Sequence, residues 1–180
     1  MPKAGLHPIF NLLETAQLPE LGPGPRAGVR GGRELREAVA EALNGTNGER
    51  AELITALVLL WHDHLDAAHT IAQDLANSDG AFVHGIMHRR EPDYSNAAYW
   101  FRRVGDHPAF PALADQVTSL LSATNSSQLK SRLLPSGKWN PFAFIDVCSE
   151  ASSAQDSAST KTLQQIQGIE TEVLLRHLLG

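Results

Sequence analysis

His84 and His88 stand four residues apart, so a helix places both imidazoles on one face. That spacing lets a helix offer two nitrogen ligands to a metal ion. A second stripe lies upstream, where His62, Asp66 and His69 fall at i, i+4 and i+7. If the two stripes face each other, three or four ligands converge, and a divalent ion such as zinc or nickel becomes the candidate cofactor. The glutamate that a zinc protease needs beside its first helical histidine is missing. Two other readings compete with the metal. The imidazoles can be fixed by carboxylates and backbone carbonyls as parts of a helix crossing, or they can exchange protons in acid–base catalysis.

The same stretch supplies groups suited to an anion. Arg89 and Arg90 lie before Pro92, Arg102 and Arg103 lie before Gly105, and His107 follows. Guanidinium groups clamp carboxylate or phosphate through two parallel hydrogen bonds. The candidate ligand-binding set is therefore His84, His88, Arg89, Arg90, Asp93, Asn96, Trp100, Arg103 and His107. The competing reading makes the arginines solvated helix ends that complement the negative pole of the macrodipole, and this is expected for at least two of the four. Tyr99 and Trp100 adjoin a stripe already filled by Tyr94, Ala97 and Phe101, so one of the two points elsewhere, as an interface anchor or against another helix. The Ser-rich residues 149–160 contain no Gly-x-Ser-x-Gly elbow and carry no nucleophile assignment.

Residues 51–108 hold six of the eight histidines, two of the three tryptophans and both tyrosines, so any site is expected there. The remainder bounds the setting. A chain of 180 residues is expected to form one domain able to bury its own core. The net charge of -5 argues against a general nucleic-acid binder, which needs a basic field. The lone Cys148 rules out an internal disulfide and, with Phe144, Ile145 and Val147 nearby, is expected to be buried. The apolar run Leu53–Trp61 is too short to span a bilayer, and the amino-terminal stretch has no long apolar run. No membrane contact and a cytoplasmic setting are the expectation.

Helical periodicity predicts an all-α fold of antiparallel hairpins. A short helix within residues 1–20 docks on the body. Residues 21–32, rich in Gly and Pro, form a surface loop or linker. Helices follow over about 33–43, 50–61, 64–76, 80–90, 94–104 and 110–123. Ser78 or Asp79 caps the fourth of these and Asp93 the fifth. Residues 124–140 read as polar and turn-like at first, with Pro135-Ser136-Gly137 near the end, Pro141 opens a helix, 149–160 reads as a Ser/Ala-rich loop, and a last helix runs over about 161–179.

One spacing sharpens this. Gly85 and Ala97 are twelve apart, with Phe101 four residues beyond and Tyr94 three before the alanine. Ala56 and Ala68 repeat the spacing upstream. The segment 51–108 thus resembles a pair of tetratricopeptide or Sel1-like helical repeats, although Val104 stands where a small residue is usual. The phrase from His84 to Pro108 also resembles an uncharacterised family of fungal and bacterial proteins, which implies no activity. The repeat resemblance implies helical hairpins and turns positions 84 and 88 toward the second helix. The expected function is a binding module whose groove, formed by residues 62–107, takes a protein, a peptide, a small anionic ligand or a second copy of the chain. The alternative is a small-molecule enzyme or metal-binding protein built on the histidines.

Overall fold

In the computed structural model, which describes residues 7–154 and 157–180, the long apolar run organises everything else. Helix α2 (Glu49–Trp61) buries Leu53, Ile54, Leu57, Val58, Leu59, Leu60 and Trp61. A helix apolar on all sides has to be covered on all sides. Helices α1 (Gly32–Ala42), α3 (Leu65–Ala72), α4 (Ser78–Arg90) and α9 (Ser157–Leu179) provide that cover. Helix α5 (Tyr94–Val104) lies on α4 and meets α8 (Pro141–Ala154), while α6 (Phe110–Ala123) meets α9 and α7 (Ser127–Leu133). The described residues contain no strand, so the fold is all-α.

Short connections make the hairpins. Residues His62–His64 join α2 to α3, and Glu91–Asp93 join α4 to α5. The Asp93 carboxylate accepts from the Asn96 amide at 3.1 Å and caps α5 as its position predicts. The cap of α4 differs from expectation. Asn77, rather than Ser78 or Asp79, accepts from the Gly80 amide at 2.8 Å, which leaves Asp79 free for another role.

The closest approach between α4 and α5 is at Gly85. A Cβ placed there would lie 2.5 Å from Phe101 Cε2, and Phe101 is itself fully packed. Gly85→Leu is therefore expected to destabilise the protein by at least about 1–3 kcal/mol through overpacking. The denaturant midpoint should fall with the slope unchanged, and an unmoved midpoint would contradict this crossing.

Two expectations need correction. Residues 124–140 start with a turn as expected, but α7 then forms over Ser127–Leu133, followed by a short 3-10 turn (Pro135–Gly137), with Leu133 and Leu134 buried. The described residues of the Ser/Ala-rich stretch 149–160 are helical rather than a loop, since α8 runs to Ala154 and α9 starts at Ser157. Serine and alanine are both compatible with a helix, so that composition does not by itself mark a loop. Residues 155 and 156 of that stretch, and residues 1–6 of the expected amino-terminal helix, lie outside the described residues. The part of that first segment that is described forms a 3-10 turn, Pro8–Leu13, which buries Ile9, Leu12 and Leu13.

The Gly/Pro-rich segment stays irregular, but it is a clamped strap and not a linker. Arg26 donates to Asp63 Oδ1 at 2.6 Å, to the Trp61 carbonyl at 2.6 Å and to the Gln17 carbonyl at 3.3 Å. The Asp63 carboxylate also accepts from the Arg26 amide at 2.9 Å. Gly24 has φ +76°, and a Cβ there would lie 2.8 Å from Asp63 Cγ, so only glycine suits this turn.

Candidate functional site

His84 sits on α4 at 1% exposure, with Nδ1 3.2 Å from the Gly80 carbonyl oxygen. A carbonyl can only accept, so Nδ1 carries the proton and Nε2 is left as a bare lone pair. That Nε2 is sealed from solvent and has no hydrogen-bond partner among the described residues. The Trp100 indole stacks on the ring at 4.0 Å between centroids, with the planes 11° apart. Burial pulls the His84 pKa down to about 4 against the Gly80 carbonyl, and His69 and His88 add to the lowering.

One turn further on, His88 Nδ1 donates to Glu91 Oε2 at 3.0 Å, and Asn96 Nδ2 lies 3.2 Å from Nε2. Burial lowers the His88 pKa as well, against the pull of Glu91. The half-buried His69, from the last turn of α3, meets both rings edge-on, with centroids 5.4 Å from His84 and 5.6 Å from His88. Trp100 is half-buried and Tyr99 is 48% exposed. The Arg103 guanidinium lies 5.5 Å from the Trp100 ring centroid and 5.9 Å from that of Tyr99. The structure thus gathers His69, His84, His88, Asn96, Trp100 and Arg103 on one face of α3, α4 and α5.

The other candidates are elsewhere. His62 does not join His84, because Nε2 donates to the Leu12 carbonyl at 2.7 Å and Nδ1 accepts from the Arg30 amide at 3.2 Å. Both its nitrogens are used to hold the amino-terminal segment, as is His64 Nε2, 2.8 Å from the Arg30 carbonyl. Asp66 is exposed to solvent. The 62/66/69 stripe breaks because α3 begins only at Leu65, so His62 precedes the helix. Asp93 is used as a helix cap.

Arg89 and Arg90 are neither solvated helix ends nor ligand clamps. Arg89 forms a doubly hydrogen-bonded pair with Glu170 of α9 at 2.5 and 3.2 Å, both side chains at 0% exposure, and lies 4.4 Å from the Phe144 ring centroid. Arg90 donates to Asp63 Oδ1 at 2.6 Å, to the Gly22 carbonyl at 3.1 Å and to the Leu60 carbonyl. Burial lifts Asp63, but the Arg26 amide and the Arg90 guanidinium outweigh it and hold the carboxyl below its ordinary range. Arg102 and Arg103 are the exposed pair. Cys148 is buried as expected, and burial pushes its thiol up to about 12, so it stays protonated.

His107 belongs to a cluster that the spacing did not reveal. Its Nε2 lies 2.8 Å from Asp79 Oδ1, and His177 Nε2 lies 3.0 Å from the same oxygen. Asp79, His107 and His177 offer ligand atoms within 4.8 Å of one another, so the cluster could hold a metal ion, and among the described residues no other such group does. His107 Nδ1 accepts the Ala109 N–H at 3.1 Å, however, which places the ring proton on Nε2, toward Asp79. A metal on Nε2 would have to expel that proton and turn Nδ1 into a donor facing the amide.

Four buried histidines, His62, His84, His88 and His107, have lowered pKa values, with burial the leading cause in each. Each is neutral in the folded state where the unfolded chain, titrating near 6.5, already binds a proton. Their contribution is complete above that value and is lost as the pH falls through 6.5 toward the folded values. For His84 the loss continues to about pH 4 and amounts to about 3 kcal/mol. Urea midpoints should therefore drop steadily from pH 7.5 to 4.5, and a flat profile over that range would contradict the burial of these rings.

Comparison of the chain with family models, curated proteins and solved structures gives no match. Among the described residues, no helix is long and apolar enough to cross a membrane.

Proposed function

We propose that the chain is a binding module whose ligand face is the surface of α3, α4 and α5 bearing His69, Asn96, Tyr99, Trp100 and Arg103. One observation carries the reading. Tyr99 is held out at 48% exposure beside a guanidinium that also covers Trp100, over the buried His84 and His88. Tyrosine and tryptophan have few rotatable bonds and lose little entropy on contact, and with arginine they are the side chains enriched as interface anchors. The repeat-like spacing of residues 51–108 supports the same reading, since hairpin surfaces of that kind hold peptides. The ligand chemistry that fits is a peptide or protein segment with an apolar group for the two rings and a carboxylate for Arg103.

Selection of a displayed random peptide library on the protein tests this. Recovered peptides should carry acidic and apolar residues and lose about tenfold or more in affinity on a Tyr99→Ala/Arg103→Ala variant, about 1.4 kcal/mol. Peptides that bind the variant as tightly would place the binding face elsewhere. A metal-binding role is the second reading, favoured by the convergence of Asp79, His107 and His177.

A further inference from the structure

We infer that the bound segment extends past Tyr99, crosses the end of α5 and seats a second apolar group in the groove between α5, α6 and α8. The occupant is a peptide segment of a partner protein that carries an acidic residue between two apolar ones. The inference rests on the α3–α5 face being a ligand site.

The groove encloses about 700 Å³, and Arg102, Asp106, Phe110, Lys138, Trp139 and Phe142 are among the residues lining it. That is the scale of clefts that hold a bound group. Phe142, at the start of α8, stands 39% exposed in it. Among the described residues, Phe142 and Tyr99 are the large hydrophobic side chains left exposed. The cationic end of α5 connects them. Tyr99 shares one side of the helix with Arg102 and Arg103, three and four residues further on. Arg103 covers Tyr99 and Trp100, while Arg102 lines the groove together with Phe142. The step from Tyr99 to Arg102 is only about 4.5 Å along the helix axis, so face and groove are neighbours.

Charge selects the occupant. Arg102, Arg103 and Lys138 are exposed and have no ion-pair partner among the described residues, and Asp106 is the one acid in the groove lining. The local surplus is positive although the chain as a whole carries -5. A carboxylate at the end of α5 meets two planar guanidinium groups that can each grip it through paired hydrogen bonds. A basic segment there would be repelled by three cations. A small molecule reaches one apolar wall or the other, whereas an extended chain, advancing about 3.3 Å per residue, reaches both.

Peptides recovered from a displayed random library on the full chain are the probe. Binding is followed by calorimetry and by the indole N–H resonance of Trp139, which is buried in the groove wall. The expected peptides carry an acidic residue flanked by apolar ones and shift the Trp139 resonance. They lose about tenfold or more in affinity on Phe142→Ala/Arg102→Ala. Lys138→Glu, at an exposed position, should weaken them too, and it decides the matter should the double variant fold poorly. Peptides that need Tyr99 and Arg103, yet bind Phe142→Ala/Arg102→Ala as tightly and leave Trp139 unmoved, overturn this inference and leave the α3–α5 reading standing. Peptides that need the groove and ignore Tyr99 and Arg103 overturn the single spanning segment together with that reading. Recovery of no peptide overturns both. Self-association of the protein alone, lost on Phe142→Ala, would make a second copy the occupant and overturn the inference as well.

Discussion

Glu170→Ala is expected to destabilise the protein by about 3–5 kcal/mol, because it strands the Arg89 guanidinium in the core. Both side chains of the pair are at 0% exposure, and among the described residues Gln167 is the only other side-chain oxygen that Arg89 reaches, at 3.5 Å, and Arg89 Nε has no partner. The loss comes less from the missing attraction than from a charge that keeps its desolvation penalty after its counterion is gone. Removing both charges should therefore harm the protein less than removing one. Arg89→Met with Glu170→Leu should recover most of the stability lost in Glu170→Ala, measured by denaturant midpoint at constant slope. A single variant as stable as the double would contradict an isolated buried pair.

Asp63→Ala is the second large effect, again about 3–5 kcal/mol. One carboxylate there holds two guanidiniums, Arg26 from the strap and Arg90 from α4, each at 2.6 Å. Its loss leaves two buried cations facing each other and frees the strap from the α2–α3 junction. The global midpoint should fall, and residues 21–31 should become the first site of proteolysis, since their backbone is otherwise held by His62 and His64 at Arg30 and by Arg90 itself at the Gly22 carbonyl. Cleavage that begins elsewhere would show that the strap is held by other contacts.

These two ion pairs mark where sequence reading ran out. Hydrophobic spacing located α2, α4 and α5 nearly to the residue, because apolar periodicity and the capping group at Asp93 are local properties. His84, His88, Asn96, Trp100 and Arg103 were legible for the same reason, since they share two adjacent helices. Arg89 and Arg90 were misread because their partners lie 81 and 27 residues away, at Glu170 and Asp63. No local pattern distinguishes a solvated arginine at a helix end from a buried one. His62 was taken for a ligand because its spacing to His69 is helical, although the helix starts three residues after it. Asp79 and His177 were missed because they meet only when α9 folds back on the start of α4. The turn over 124–140 and the loop over 149–160 were misplaced because Ser-rich sequence is compatible with both loop and helix.

The state of His84 tests the central claim most directly, since the proposed ligand face stands on a sealed Nε2 lone pair beneath Trp100. A pH titration of the histidine side-chain nitrogens by NMR reports both tautomer and pKa. The structure predicts a neutral ring protonated at Nδ1, with titration delayed to about pH 4. A ring protonated at Nε2, or one that titrates near 6.5 like a free histidine, would contradict it.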